Sequence, residues 1–273
     1  FLELEFIMNI KELIEKHGDT NENWLILEFL TDKKPIELKI NLNFCVDSIY
    51  DEFLKIVEKR KQNYPLQYIF GKWEFYGLEL FVDESALIPR FETEILVDEI
   101  LKLDCKKDKI LDIGCGSGAI SLALADNLRK SQIYGIDISK EAINLSKRNK
   151  EKLNLKNVKF YESDIFSNVK EKNFDIIVSN PPYIDDADMK TLEKELSFEP
   201  QNALYGGKDG LFFYREIIEN SLDYLSEKGV MAFEIGHNQM KIISNLLIKK
   251  GFEILLKKKD FAGFDRIIIA KRR

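Results

Sequence analysis

The sequence is poor in cysteine and histidine, with three cysteines and two histidines among 273 residues. Cys45, Cys105 and Cys115 lie at wide, unmatched spacings, which offer neither a disulfide framework nor a cluster of metal ligands. His17 and His237 are far apart in the chain and add no ligand pattern. The sequence therefore predicts no metal site and a reducing, cytoplasmic location.

Long hydrophobic segments are also missing from the sequence. No apolar run approaches the roughly 18 residues that a membrane-spanning helix needs. No basic stretch precedes a short apolar core in the manner of a signal peptide. The lack of both kinds of segment predicts no membrane partner.

Seven residues precede Met8, and we expect Met8 to be the natural start and residues 1–7 to be an upstream extension without function.

Positive charge is not in excess, because 41 lysines and arginines face 47 aspartates and glutamates, for a net charge of −6. This balance argues against an extended basic surface for duplex nucleic acid, although local lysine clusters occur. Apolar residues make up 45% of the chain, which is enough for sizeable cores. The length fits two domains.

The two ends of the chain differ in hydrophobic pattern. In residues 8–66 apolar residues recur at helical spacing, which predicts a small N-terminal helical domain. Residues 67–88 alternate apolar and polar residues around glycines, and we interpret them as a β-hairpin connector that already includes residues 67–70. From residue 89 to residue 273, predicted strands alternate with helices.

The alternating region predicts the fold class. The predicted strands are residues 109–113, 132–136, 158–161, 174–179, 230–235, 252–257 and 266–270, with helices at 92–103, 119–128, 140–153, 211–225 and 239–250. This rhythm indicates an α/β fold with a doubly wound, mostly parallel sheet, closed by an antiparallel hairpin.

A glycine-rich segment follows the first of these strands. It consists of Gly114, Cys115, Gly116, Ser117 and Gly118, and a helix comes next. Glycines permit a tight turn and let a ligand approach the backbone at the positive end of a helix. The second strand ends at Asp137, whose carboxylate can accept from both hydroxyls of a ribose. A nucleotide-like cofactor is expected, but Gly114, Gly116 and Ala119 also satisfy a lenient dinucleotide fingerprint, so its kind stays open.

Two further residues belong to the predicted cofactor site. Asp164 follows the third strand, where it could accept from an exocyclic adenine amine, with Ile165 as an apolar neighbour of the ring. An ordinary turn or helix-cap role is the alternative for Asp164. We interpret Cys115 as a small side chain beside the backbone and not as a nucleophile.

The most informative residues follow the strand at 174–179: Asn180, Pro181, Pro182 and Tyr183. Consecutive prolines fix φ at about −65° and remove two N–H donors, which leaves rigid carbonyls free to accept. An Asn oxygen and a main-chain oxygen can together accept both hydrogens of a planar NH2 group, while a tyrosine ring covers its flat face. The segment predicts a clamp for an amide or a base amine. A rigid surface turn is the alternative.

Together these motifs resemble the class I S-adenosylmethionine-dependent methyltransferases with an amine or amide target. More closely, the chain resembles the PrmC/HemK family of protein-(glutamine-N5) methyltransferases, over nearly everything from Met8 onward. The closer resemblance is carried by residues 65–68, 73–77, 87–90, 92–94, 180–183, 199–200, 206–207, 209–210, 234–236 and 265–266. One departure is Phe91, where the family usually has proline, and we expect it to change only the stiffness of that loop.

The resemblance implies a Rossmann-like, seven-stranded methyltransferase domain and the cofactor S-adenosyl-L-methionine, with S-adenosyl-L-homocysteine as product. The implied reaction methylates the side-chain amide nitrogen N5 of the glutamine in the Gly-Gly-Gln motif of class I peptide chain release factors, which modulates translation termination. The N-terminal domain is implied to help hold the release factor.

The resemblance also implies roles for single residues. Cofactor contacts are implied for Gly114, Cys115, Gly116, Ser117, Gly118, Asp137, Asp164, Ile165 and Asn180. Target contacts are implied for Asn180, Pro181, Pro182 and Tyr183, of which Asn180, Pro181 and Tyr183 are the predicted catalytic residues. Arg90 and Glu199 either shape the pocket or form an ordinary salt bridge. No side chain near the motif is an obvious base, and we nominate none.

Other functions fit parts of the pattern. Related glutamine methyltransferases modify a ribosomal protein instead of a release factor. A nucleic-acid methyltransferase acting on adenine N6 or guanine N2 could use the same clamp, because enzymes flip such bases into pockets. The acidic balance and the lack of a large base-reading domain argue against it. A nicotinamide oxidoreductase would leave residues 180–183 without a role, and a non-catalytic binding module would leave the cofactor residues unused.

Overall fold

The computed structural model describes residues 8–273, so the expectation about residues 1–7 lies outside the described residues. The chain divides into two compact units, one ending at Phe70 and one running from Gly71 to Arg273. None of the helices within residues 8–273 combines the length and the apolar character that a bilayer crossing requires.

The first unit is helical, as the sequence predicts. Its helices are α1 (Ile10–His17), α2 (Asn21–Thr31), α3 (Pro35–Ile40), α4 (Asp47–Lys61) and α5 (Leu66–Phe70). A capping box starts α1, because the Glu12 N–H donates to Asn9 Oδ1 and the Asn9 N–H donates to Glu12 Oε2, each at 3.0 Å. Leu13, Leu27 and Phe53 are fully buried in its core. The short helix α3, which begins at a proline, was not predicted.

The prediction of a hairpin strand at residues 67–70 is wrong, because these residues belong to α5. Leu66, Ile69 and Phe70 are spaced three and four apart, so a helix turns all three toward the core of the first unit. Four alternating residues cannot distinguish the two periodicities. The hairpin consists of β1 (Lys72–Phe75) and β2 (Leu78–Phe81). Its two turn residues have the positive φ angles, 52° and 73°, of a tight hairpin turn.

A seven-stranded sheet dominates the second unit. Its strands are β3 (Lys109–Ile113), β4 (Gln132–Asp137), β5 (Val158–Glu162), β6 (Phe174–Ser179), β7 (Leu225–Glu234), β8 (Phe252–Lys259) and β9 (Asp265–Arg272). The spatial order is β5-β4-β3-β6-β7-β9-β8, with the first five strands parallel and β9 antiparallel to both neighbours. The predicted mostly parallel α/β sheet is confirmed.

Helices cover both faces of the sheet. They are α6 (Phe91–Lys102), α7 (Ala119–Asn127), α8 (Lys140–Lys152), α9 (Gln201–Leu204), α10 (Phe212–Asn220) and α11 (Met240–Lys249). Neighbouring β3 residues point to opposite faces, so Ile110 packs with α6 and α7 while Leu111 packs with α10 and α11. Burial on both faces explains why the strands are almost wholly apolar.

The two largest differences from the predicted boundaries concern α10 and β7. The helix predicted at 211–225 ends at Asn220, and β7 begins at Leu225 instead of residue 230. Leu225 pairs with Phe174 at the start of β6, and the Phe174 N–H donates to the Tyr224 carbonyl at 2.9 Å. This pairing extends β7 toward its N-terminus through a polar stretch that has no strand pattern of its own.

The strand order reverses at β3, which has β4 on one side and β6 on the other. Ile113 and Ser179 end these two strands side by side, and Ser179 Oγ donates to the Ile113 carbonyl at 2.7 Å. At such a point the connections that follow the two strands leave the sheet in opposite directions, so a crevice opens beyond the carboxyl ends of the strands. The glycine loop (residues 114–118) and the Asn-Pro-Pro-Tyr segment (residues 180–183) both start there.

Candidate active site

A cavity of about 330 Å³ lies beyond the carboxyl ends of β3, β4 and β6. We call it the smaller cavity; its volume is within the range of about 300 to 1,000 Å³ typical of ligand pockets. The predicted site residues that line it are Gly114, Cys115, Gly116, Ser117, Asp137, Asp164, Ile165, Asn180, Pro181 and Pro182. The topology thus brings together residues predicted from four separate segments.

A second, larger cavity of about 660 Å³ adjoins the same segment. Tyr183 lines this larger cavity and not the smaller one, whereas Asn180 and Pro181 line both. Asn180 and Pro181 therefore form the boundary across which groups in the two cavities would meet.

The glycine loop turns sharply, with φ angles of 72° at Gly114, 54° at Gly116 and 85° at Gly118. Among the described residues, no atom would lie within 4 Å of a Cβ at Gly114, so the cavity is open directly above this residue. A Cβ at Gly118 would lie 3.0 Å from Phe160 and 3.1 Å from Leu122. Gly118 therefore packs against the protein interior, and it is absent from the lining of both described cavities.

The N–H groups of the glycine loop are largely used within the protein. The N–H groups of Gly114 and Cys115 both donate to the Ile136 carbonyl at 2.9 Å. The Gly116 N–H donates to Asp137 Oδ2, also at 2.9 Å. The loop therefore lets a ligand come close to the backbone, but it provides few free N–H donors.

Asp137 ends β4 and faces the smaller cavity. Its second oxygen, Oδ1, accepts from the Ser139 N–H at 2.9 Å. Burial raises the pKa of Asp137, and the N–H groups of Ser139 and Gly116 counteract this by stabilising the charged form. Because a carboxylate has about four acceptor positions, both oxygens retain capacity for a ligand.

Asp112 lies beneath the glycine loop and was not predicted as a site residue. It is fully buried, and its Oδ2 accepts from Ser121 N–H at 3.1 Å and from Ser121 Oγ at 2.6 Å. Oδ1 has no hydrogen-bond partner within residues 8–273. Burial raises the pKa of Asp112 to about 7. An acid within the apolar strand Lys-Ile-Leu-Asp-Ile is the sequence signal that points to it.

Ile165 has a left-handed backbone conformation, with φ of 45°. This conformation is unfavourable for a β-branched residue, and such strain is found mainly at functional sites. Ser163 stabilises the turn, because its Oγ donates to the Ile165 carbonyl at 2.9 Å and accepts from the Asn168 N–H at 3.0 Å. Asp164 lies in the same turn and also lines the cavity. A turn role and a position in the cavity wall, which were alternatives from the sequence, are therefore compatible.

Two glycines allow close packing around the Asn-Pro-Pro-Tyr segment. A Cβ at Gly206 would lie 2.6 Å from the Pro182 carbonyl oxygen, and one at Gly210 would lie 2.2 Å from the Tyr183 carbonyl oxygen. Gln239 Nε2 also donates to the Tyr183 carbonyl at 3.2 Å. The backbone of the segment is thus enclosed by the protein and is not a free surface turn.

The Asn180 side chain is held by a chain of buried polar groups. Asn180 Nδ2 donates to Thr93 Oγ1 at 3.2 Å, and Thr93 Oγ1 donates to Glu234 Oε2 at 2.6 Å. Burial raises the pKa of Glu234 to about 7, while Thr93 counteracts this shift. Thr93 and Glu234 are 141 residues apart in the sequence. Sequence reasoning missed their pairing, although both lie within motifs that carry the family resemblance.

Arg90 and Glu199 form an ion pair. The Glu199 side chain is buried, and its Oε2 accepts from the Ile88 N–H at 3.0 Å. Burial raises the pKa of Glu199 and Arg90 opposes the shift. Since Arg90 lines both cavities, the pair is at once a salt bridge and part of the wall. Phe91 beside it is exposed, and its ring lies 5.8 Å from that of Phe261.

Comparison with known proteins identifies the family. Residues 10–71 match the PrmC N-terminal domain, and residues 91–213 match the methyltransferase small domain. A release factor glutamine methyltransferase of Fusobacterium nucleatum is 48% identical over 221 residues, which are 80% of this chain and 62% of that protein. The chain thus spans less than two thirds of that relative's length.

Two further proteins are similar over larger parts of their own length. A release factor glutamine methyltransferase of Thermodesulfovibrio yellowstonii is 42% identical over 222 residues, which are 80% of each protein. The crystal structure of a methyltransferase from Pyrococcus furiosus has a TM-score of 0.56 at 22% identity, covering 72% of this chain and 89% of that one, which shows the shared fold. The chain belongs to the family of release factor glutamine methyltransferases.

Proposed function

We propose that this chain transfers a methyl group from S-adenosyl-L-methionine to N5 of the glutamine in the Gly-Gly-Gln motif of class I release factors. The observation that carries this proposal is the position of Asn180 and Pro181, which line both cavities. A methyl donor in the smaller cavity and a glutamine side chain in the larger one would meet at this boundary.

The residues of the smaller cavity fit S-adenosyl-L-methionine better than a dinucleotide. The N–H groups of Gly114, Cys115 and Gly116 already donate within the protein, so few free donors remain at this loop to hold a pyrophosphate. We assign Asp137 to the ribose hydroxyls, and Asp164 and Ile165 to the adenine. The open space above Gly114 leaves room for the ligand to approach the backbone. When bound, S-adenosyl-L-methionine supplies a methyl group that its positively charged sulfur already activates.

The Asn-Pro-Pro-Tyr segment is assigned to the target amide. An amide nitrogen is a poor nucleophile, because its lone pair is delocalised into the carbonyl. Asn180 Oδ1 and the Pro181 carbonyl would accept the two amide hydrogens and orient the nitrogen, while the Tyr183 ring covers its face. Alignment can contribute about 7 to 11 kcal/mol, against about 1 to 3 kcal/mol for one polar contact, so positioning dominates. Burial raises the pKa of Tyr183, which keeps its hydroxyl neutral.

The remaining assignments follow from the substrate. Residues 8–70 are proposed to form a domain that helps hold the release factor, with residues 71–88 as the connector and residues 89–273 as the catalytic domain. Release factors act in translation, so the proposed location is the cytoplasm. A proton can leave the nitrogen after methyl transfer, and no side chain is assigned as the base.

The experiment supplies methyl-labelled S-adenosyl-L-methionine with one of four acceptors: a purified class I release factor, its Gly-Gly-Gln variant with Gln→Ala, a ribosomal protein preparation, and DNA. We expect label on the wild-type release factor and none on the Gln→Ala variant. Label on DNA, label confined to ribosomal protein, or label that survives the Gln→Ala change would each replace the proposed substrate.

A further inference from the structure

The proposed clamp needs one particular orientation of the Asn180 side chain. The two ends of a carboxamide have nearly the same shape but opposite hydrogen-bonding properties, because the oxygen accepts and the NH2 group donates. Only the oxygen can accept a hydrogen from the target amide. Some feature of the protein must therefore keep the oxygen of Asn180 toward the boundary of the two cavities.

Thr93 and Glu234 surround the other end of that side chain. Thr93 lies in the first turn of α6 and Glu234 is the last residue of β7; they are 5% and 2% exposed. The distances are 3.2 Å from Asn180 Nδ2 to Thr93 Oγ1 and 2.6 Å from Thr93 Oγ1 to Glu234 Oε2. Both are hydrogen-bond distances, and the groups form one continuous chain.

The number of hydrogens available in this series of hydrogen bonds determines the orientation of the Asn180 amide. A threonine hydroxyl has a single hydrogen, and an ionised carboxylate can only accept, so Thr93 donates its hydrogen to Glu234. The lone pairs of Thr93 then face Asn180. An NH2 group can donate to these lone pairs, whereas a carbonyl oxygen in the same place would be repelled. Asn180 therefore turns its nitrogen to Thr93 and its oxygen away from it.

We propose that Thr93 and Glu234 are positioning residues that fix the orientation of the Asn180 amide and thereby make the site select a carboxamide over a carboxylate. This inference rests on the proposed function. With the oxygen fixed outward, Asn180 and the Pro181 carbonyl present two acceptors, which match the NH2 group of glutamine and repel a glutamate. If the Asn180 amide were reversed, its NH2 group would face the target, and the preference for glutamine over glutamate would fall.

The charge of Glu234 controls how strictly the orientation is fixed. Arg266 and Arg90 favour the ionised form, and Glu92 opposes it. The phenols of Tyr183 and Tyr214 also face Glu234, and burial raises the pKa of both, so they stay neutral. A protonated Glu234 could donate to Thr93, and Thr93 could then donate to the oxygen of Asn180. The selection is accordingly present when Glu234 is ionised and weakens as the pH falls through its pKa of about 7.

The first test compares Thr93→Val, which keeps the shape but lacks the hydroxyl, with Thr93→Ser, which keeps the hydroxyl. Binding of a release factor and of its Gln→Glu variant is measured at pH 8 in the presence of S-adenosyl-L-homocysteine. We expect the wild-type enzyme and Thr93→Ser to prefer glutamine by about 10-fold or more, and Thr93→Val to lose most of this preference. Thr93→Val should also lower kcat by more than it raises KM.

A second test uses Glu234→Gln, which removes the charge at nearly the same volume and serves if Thr93→Val does not fold. We expect kcat of the wild-type enzyme to rise with pH through about 7 and this rise to be absent in Glu234→Gln. An unchanged glutamine preference in folded Thr93→Val, or an unchanged pH profile in Glu234→Gln, would overturn the inference. A wild-type enzyme that labels no release factor would instead refute the proposed function.

Discussion

The two halves of the candidate site each contain a buried carboxyl group, yet they are built differently. Asp112 under the glycine loop and Glu234 beside Asn180 are both buried, and burial raises the pKa of each to about 7. Ser121, which bonds Asp112, is nine residues away in sequence. Thr93, which bonds Glu234, is 141 residues away.

This difference separates a local half from an assembled half. The half around the glycine loop comes mainly from the consecutive elements β3, α7 and β4, which form by short-range connections. The half around Asn180 requires α6, β6, β7 and the loop at residues 206–210 to converge. We therefore expect changes in the local half to alter cofactor affinity, and changes in the assembled half to alter turnover.

The largest effect is expected for Asn180→Ala, in the assembled half. This substitution removes one of the two proposed amide acceptors and the side chain that occupies the boundary of the cavities, so kcat should fall by about 10²- to 10³-fold. Substantial cofactor binding should remain, because the other residues of the smaller cavity are intact. Methyl transfer and calorimetric binding of S-adenosyl-L-methionine measure the two quantities. Turnover at the wild-type rate would contradict the clamp.

A comparably large loss of stability is expected for Gly210→Ala. The new Cβ would lie 2.2 Å from the Tyr183 carbonyl oxygen, and φ at this position is +68°. Overpacking and a left-handed conformation together should cost about 3 kcal/mol of unfolding free energy and displace the Asn-Pro-Pro-Tyr segment. The matched control is Gly263→Ala, where φ is +88° but a Cβ would meet no atom of residues 8–273 within 4 Å.

Chemical denaturation and kcat distinguish these two glycine variants. In Gly263→Ala only the left-handed conformation is unfavourable, so the free energy of unfolding should fall by about 1 kcal/mol and turnover should be unchanged. Equal losses of stability in both variants would show that close packing against Tyr183 contributes nothing.

The sequence predicted the local half more completely than the assembled half. Short apolar runs with sharp ends locate β3 and β6, and the glycines and Asp137 follow from local rules of turns and strand ends. The left-handed conformation of Ile165 could not be predicted, because isoleucine disfavours it intrinsically. The pairing of Thr93 with Glu234 depends on where α6 and β7 pack, which a single sequence does not reveal.

The predictions that failed have the same cause. Residues 67–70 alternate like a strand, but burial of Leu66 and Ile69 with α4 and its neighbours makes them helical. The start of β7 at Leu225 depends on pairing with Phe174, a partner that is distant in sequence. In both regions tertiary contacts override a local pattern of only a few residues.

A pH-dependent effect on stability is expected from Asp112 in the local half. The pKa of Asp112 is about 7 in the folded chain, against an ordinary value of 3.8 in the unfolded chain, so the folded chain binds this proton more tightly. The contribution to stability is fully present below pH 3.8 and is lost as pH rises through 7. Between pH 5 and pH 8 the wild-type protein should lose about 2 to 3 kcal/mol relative to Asp112→Asn.

Denaturation at several pH values measures this relative stability. The control is Asp108→Asn, since the Asp108 side chain is 72% exposed, and it should follow the wild-type profile. An Asp112→Asn profile parallel to that of the wild type would show that this carboxyl is not the titrating group.

The smallest effect is expected for Asp137→Ala, which tests the local half directly. Asp137 holds the N–H groups of Gly116 and Ser139 at 2.9 Å and is assigned to the ribose, so its loss should weaken S-adenosyl-L-methionine binding by about tenfold. At saturating cofactor kcat should fall much less, because Asn180 and its supporting residues are untouched. Asp137→Asn keeps one acceptor oxygen, so its affinity for S-adenosyl-L-methionine should lie between those of the wild-type enzyme and Asp137→Ala. A fall in kcat as large as that of Asn180→Ala, with unchanged cofactor affinity, would mean that the two halves do not act separately.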